Sequence, residues 1–228
     1  MMLLALDTST KWMTAALLSD AGLVVEHTAL LDRRMLAQCP ARLETILLQA
    51  CVTSEELTAC AAGLGPGSYT GLRIGLSIMQ GIAFARQIPL HGVASSAVLA
   101  SAAGERPLVY LLQESGRRTG HAAFSAYDTT VFPPRELLAP RLIQPAELPE
   151  LWRGHGIVIG DAAARVMGLL PEIEGSLTTD PELSIPRAAT LARIATHRWN
   201  AGDPGDPAAI QGIYLATPPL PQRKAVAG

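Results

Sequence analysis

The chain is short of aromatic residues and of charge. Phe, Trp and Tyr make up 4% of its 228 residues, and Asp, Glu, Lys and Arg only 17%. With 49% hydrophobic residues against so few charges, disorder over most of the chain is excluded. The core must be built from Ala, Leu, Ile and Val, and the thinly charged surface leaves room for an apolar docking patch. Basic residues are not gathered either. The net charge is −2 and the densest basic cluster is Arg117-Arg118, so the stripe that grips RNA unaided is missing. Cys39, Cys51 and Cys60 form no Cys-x-x-Cys pair, which argues against a disulfide framework or a zinc site and suits small buried hydrophobes. No two of His27, His91, His121, His155 and His197 are three or four residues apart, so no helix presents a paired metal site. No Gly-x-Ser-x-Gly elbow is present, and a hydrolase has no positive support. The opening apolar run has no basic leader and is cut by Asp7. It reads as neither a signal peptide nor a membrane span, and a cytoplasmic protein without membrane contact is expected.

What is present is an α/β pattern. The runs 2–6, 13–18 and 23–28, with Asp20-Ala21-Gly22 as a turn, predict a three-stranded antiparallel start with Asp7 at the end of the first strand. Residues 39–51 carry an apolar stripe of Cys39, Leu43, Ile46, Leu47, Ala50 and Cys51 at helical spacing, with Pro40 suited to the first turn. A short strand over 60–64, a glycine-rich turn and a helix over 70–86 follow, the helix carrying Leu72, Ile78, Met79, Ile82 and Ala83. A short strand and third helix are expected in 91–103, and a boundary near 103–107. Residues 104–228 form a smaller second lobe with strands at 107–112, 120–127 and 156–160 and a short helix at 145–152. A helix over 186–201 is expected to join the first lobe, residues 1–103, and the tail from 202 to be extended. No repeat of 20–50 residues is visible.

Two features could carry chemistry. Gly65-Pro66-Gly67-Ser68-Tyr69-Thr70-Gly71-Leu72-Arg73-Ile74-Gly75 places glycines before a helix N-terminus, which suits a phosphate cradle contacted by Gly65, Gly67, Ser68, Thr70 and Gly71. No Lys-Ser/Thr pair follows, so it is not a P-loop. It equally suits a tight turn with a Ser or Thr N-cap and close packing through Gly71 and Gly75. Asp7-Thr8-Ser9-Thr10 could surround a metal–phosphate group or could be a hydroxyl-rich turn held by side-chain to backbone bonds.

Together these residues resemble the TsaB (YeaZ) family. Leu4-Ala5-Leu6-Asp7-Thr8-Ser9-Thr10 is similar to its N-terminal strand and turn, and Gly65 to Gly75 to its signature, with Tyr69 where Phe is commoner. Gly81 to Ala85, Ile88-Pro89 and Gly92 to Ser96 extend the resemblance over roughly residues 3–100. It implies an actin/Hsp70-like (ASKHA, ribonuclease H-like) fold of two lobes. It also implies a scaffold without catalytic residues that activates a TsaD homologue in forming N6-threonylcarbamoyladenosine at position 37 of tRNA. A TsaE-type ATPase would complete the set, tRNA would be met only through the complex, and ATP would enter only at that level, with no resident cofactor or metal. TsaD-type catalysis uses paired histidines on the first helix, and 35–50 has none. Leu43, Ile46 and Leu47 with Leu72, Ile78 and Met79 then suggest a two-helix face for the TsaD homologue or for a second copy of the chain. Departures from the family pattern are Met35 for a histidine, Gln113 to Arg118 for an Asp-Ala-Arg stretch, and Ala216 for an arginine. The competing readings are an actin-fold ATP-dependent small-molecule kinase and a metallopeptidase-like hydrolase.

Overall fold

The computed structural model describes residues 1–31, 33–114, 120–171, 173, 176, 177 and 181–215. The first strands are β1 (Met2–Asp7), β2 (Trp12–Ser19) and β3 (Gly22–Leu30), an antiparallel meander. β4 (Ala59–Gly63) and β5 (Leu90–Val93) then add in parallel on the other side of β1, giving the order β3-β2-β1-β4-β5. Alternation in β1 sends Leu4 and Leu6 to one face and Leu3 and Ala5 to the other. β4 reads Ala-Cys-Ala-Ala-Gly, a weak strand former by propensity, yet it is buried throughout. Its small side chains let helices lie close on both faces of the sheet.

Helices α1 (Arg33–Gln49) and α2 (Tyr69–Arg86) cover the outer face. α1 begins six residues before the stripe that predicts it, so Pro40 stands inside the helix rather than in its first turn. Pro40 is exposed there, and its missing N–H removes one bond from the helix ladder. α3 (Ser95–Ser101) and α6 (Ala188–Asn200) lie on the inner face, α6 against β1, β2, β4 and β5.

The second sheet contains β6 (Val109–Glu114), β7 (Ala122–Asp128), β8 (Arg135–Ile143), β9 (Ile157–Ile159) and β10 (Ser176–Leu177), in the order β10-β9-β6-β7-β8. This is the order of the first sheet repeated: a meander, then two parallel strands beside its first member. Its outer face carries only α4 (Leu148–Leu151) and α5 (Ala163–Met167). Its inner face meets α3 through Val109, Leu111, Tyr127 and Ile159. Two such lobes back to back across α3 and α6 are the actin-like, ribonuclease H-like architecture. β8, β10 and α5 lie beyond what the sequence pattern predicts: β8 follows Pro133-Pro134 and carries Pro140, and the other two are only two and five residues long. The side chain of Met35, residues 115–118 and Ala216 lie outside the described residues.

From residue 201 to 215 the chain has no helix or strand but is tied down at several points. Leu90 N–H donates to the Gly205 carbonyl at 2.7 Å and Ile213 N–H to the Leu64 carbonyl at 2.7 Å. The Gln80 amide donates to the carbonyls of Pro207 and Ile210. No helix among the described residues is long and apolar enough to cross a membrane.

Candidate functional site

The turn after β1 and the glycine-rich loop after β4 meet at the same edge of the first sheet. β1 and β4 are adjacent parallel strands, so their C-terminal loops must emerge side by side. The loop lies directly on the turn. A Cβ on Gly67 would fall 1.9 Å from the Ser9 carbonyl oxygen, one on Gly71 2.2 Å from that of Thr8, and one on Gly75 2.1 Å from Thr8 Oγ1. Gly63 has the same constraint, its Cβ position being 2.0 Å from Asp7 Oδ2. The glycines therefore let two backbones touch, which is the close-packing role that the sequence offers for them.

Hydrogen bonds lock this contact. Thr8 Oγ1 donates to the Gly71 carbonyl at 2.8 Å, and Ser68 N–H to the Ser9 carbonyl at 2.6 Å. Ser68 also caps α2, its Oγ accepting from Gly71 N–H at 3.2 Å. Asp7 is fully buried. Its Oδ1 accepts from Ser9 N–H at 2.8 Å and its Oδ2 from Ser95 Oγ at 2.6 Å, while Ser95 Oγ accepts from Gly65 N–H and Ser95 N–H donates to the Gly65 carbonyl. Burial pushes the Asp7 carboxyl above its ordinary range, and the bonds from Ser9 and Ser95 pull it part of the way back. Ser95 is the site residue missing from the expected contacts. It lies in the Gly92 to Ser96 stretch that resembles the family, just after a strand that ends beside the loop.

Of the expected contact residues, Asp7, Thr8, Gly65 and Gly71 are buried, Gly67 and Ser68 half-buried, and Thr70 exposed on the first turn of α2. The structure gathers six of them around a contact between two segments of the chain's own backbone, with Thr70 facing outward. Tyr69 stands outside it, with Arg73 over its ring at 5.5 Å and donating to its hydroxyl at 3.1 Å. Two shallow clefts are found elsewhere. One of ≈ 430 Å³ lies between the end of α2 and Pro204 to Pro207, and one of ≈ 270 Å³ between Ser101, Phe132 and Arg193. No group of three His, Cys, Asp or Glu side chains converges among the described residues.

The two-helix face needs correction. Leu43, Ile46, Leu72 and Met79 are 3%, 0%, 1% and 0% exposed and belong to the core between the helices and the first sheet. Leu47 and Ile78 are half-buried beside them. An amphipathic helix on a sheet points its apolar stripe inward, so the outward face consists of other residues. The exposed residues include the small or apolar Ala37, Ala41 and Leu48 on α1 and Ser77, Gly81 and Ala85 on α2, alongside Glu44, Thr45 and Arg73. Leu48 is 70% exposed, and Phe84 at the end of α2 is 58% exposed.

Comparison with known proteins agrees in sequence and in fold. The family model described as "TsaD: tRNA N6-adenosine threonylcarbamoyltransferase" matches residues 29–172. The tRNA threonylcarbamoyladenosine biosynthesis protein TsaB of Escherichia coli K12 is 27% identical over 222 residues, 94% of each chain. The TsaB of Haemophilus influenzae is 36% identical over 103 residues, 45% of this chain and 43% of that one. The solved structure of YeaZ from Pseudomonas aeruginosa superposes with a TM-score of 0.82 at 25% identity, covering 94% of this chain and 99% of that one. With more than half of its length inside that family model and TsaB and YeaZ proteins matching along nearly all of it, the chain belongs to the TsaD-type tRNA N6-adenosine threonylcarbamoyltransferase family, on its TsaB (YeaZ) branch.

Proposed function

We propose that this chain is the non-catalytic partner of a TsaD-type transferase in the formation of N6-threonylcarbamoyladenosine at position 37 of tRNA. It docks through the outward face of α1 and α2 and leaves ATP and tRNA to the assembly, in which a TsaE-type ATPase also takes part. The observation that carries this reading is the character of that face. Ala37, Ala41, Ser77, Gly81 and Ala85 are small and exposed, so a second pair of helices can approach closely, and Leu48 and Phe84 supply apolar anchors at the ends. The glycine-rich loop, bonded to the turn after β1, fixes the N-terminus of α2 and so the orientation of the face.

Gly81→Arg tests it cleanly. A Cβ at Gly81 meets nothing within 4 Å, and glycine inside a helix is itself unfavourable, so the variant folds. Its side chain stands in the middle of the proposed contact. Binding to the TsaD homologue of the same cell is expected to weaken, with Kd rising by more than tenfold, and the melting temperature of the isolated chain is not lowered. An undiminished complex with Gly81→Arg removes this face from the proposal, and rapid ATP turnover by the isolated chain removes the non-catalytic role.

A further inference from the structure

The segment after α6 is held by more than its own backbone bonds. Asp203 N–H donates to the Arg198 carbonyl at 3.0 Å, and Asp203 Oδ1 accepts from Gly205 N–H at 2.9 Å, forming a tight turn off the end of the helix. The turn sets Gly205 onto β5, where a Cβ would fall 2.8 Å from Cε1 of the His91 ring and from Cβ of Pro89. Gly205 sits at φ +64°, a second reason for glycine at this position. From there the chain crosses the flank of α2 at Gln80, presses Ile210 onto Gly92, and ends with Tyr214 against the ring of Tyr69 at 5.2 Å. It is a strap that covers the free edge of β5 and finishes on the glycine-rich loop.

Beneath it, His91 is fully buried and neither ring nitrogen has a hydrogen-bond partner. The ring lies 5.8 Å from that of Trp199, and its Nδ1 is 3.6 Å from Asp203 Oδ2. Among the described residues, the charged groups around it are Asp203 on the strap and Arg198 on α6, whose guanidinium donates to the Gly92 carbonyl.

We infer that His91 and Asp203 form a pH-sensitive latch: the strap Asp203–Tyr214 is closed over a neutral His91 and opens when that ring takes up a proton. With the strap closed, burial holds the His91 imidazole below its ordinary range, Asp203 opposes this and Arg198 adds to it. With the strap open the ring is hydrated and returns to about 6.5. The open form therefore binds the proton more readily, and falling pH below that value favours it. Opening frees the edge of β5 and withdraws the contacts at Leu64 and Tyr69, which loosens the loop and the start of α2. The inference does not rest on the docking role of α1 and α2.

Hydrogen–deuterium exchange of the wild type and of His91→Gln, at pH about 7.5 and about 5.5 and corrected for intrinsic exchange, tests it. In the wild type, peptides covering 203–214 and β5 are expected to lose protection on acidification, by at most about tenfold per pH unit. His91→Gln fills the same space without titrating and should show equal protection at both values. Undiminished protection in the wild type, or the same loss in His91→Gln, overturns the inference. A second reading needs no variant: the His91 ring resonances should titrate with the same midpoint as the loss of strap protection. A ring that charges under a closed strap, or a strap that opens over a neutral ring, overturns it equally.

Discussion

The two lobes share one strand order but cover it by different means. The outer face of the first sheet carries helices of 17 and 18 residues, that of the second only helices of four and five. The second lobe makes up the difference with aromatic rings. Tyr110 stacks on Trp152 at 4.0 Å and on Phe124 at 5.7 Å, so three of the ten aromatic residues help close the face where helix is shortest. Each such ring buries about 150–250 Å², which lets a short segment shield a sheet. The lesson is one of division of labour: the first lobe keeps long helices with a free outer side, and the second is finished as a core.

The largest expected effect is at the turn that follows β1. In the first lobe the turn is clamped by glycines. Gly67→Ala puts a methyl group within 1.9 Å of a backbone carbonyl that is itself hydrogen-bonded, so neither side can yield cheaply. Thermal or urea unfolding should show a loss of about 3 kcal/mol. The same substitution at Gly120, shortly before β7, meets no atom within 4 Å and should cost only the strain of its positive φ, about 1 kcal/mol. Equal losses at the two positions would mean that the clamp has no special role.

Next in size is Asp7. Both of its oxygens accept hydrogen bonds in a buried site, from Ser9 N–H and Ser95 Oγ. Asp7→Ala leaves these donors unpaired and should cost about 2 kcal/mol. Asp7→Asn keeps an acceptor for Ser9 and offers a donor to Ser95, so it should lose well under half of that. If complex formation with the TsaD homologue survives Asp7→Asn, Asp7 acts by holding the loop. If Asp7→Asn folds normally but forms no complex, the negative charge itself is needed.

Much of the first lobe was legible because its constraints are local. Strand alternation, the Asp20-Ala21-Gly22 turn and the Gly65–Gly75 loop each depend on neighbours in sequence, and the elements expected there form within a few residues of their predicted bounds. What the loop does is open in sequence between an anion cradle and close packing, because glycine permits both, and only the fold shows Thr8 and Ser9 packed against it. The two-helix face was misplaced for a related reason. Periodicity marks Leu43, Ile46, Leu72 and Met79 as one side of a helix, and only the sheet behind them tells that this side is inward. Nothing near Ser95, Gln80 or His91 in sequence marks their contacts, since their partners lie 88, 127 and 112 residues away. The duplication of the sheet is likewise invisible in sequence, because it survives as strand order and not as residues.

That duplication supplies the last comparison. Aligning the pair Leu3–Ala59 of β1 and β4 with the pair Val109–Ile157 of β6 and β9 sets Gln113 on the position of Asp7, on the inner face. The counterparts differ in satisfaction. Asp7 has both oxygens bonded, whereas Gln113 is 2% exposed and neither of its amide atoms has a partner. A buried, unpaired amide is a cost that a side chain of similar size without polar atoms does not bear. Gln113→Leu should therefore raise the stability of the chain by about 1 kcal/mol, read as a higher denaturant midpoint with an unchanged slope. The opposite sign would mean that the amide is bonded in solution through water, and that the second lobe retains a polar site where its strand order places one.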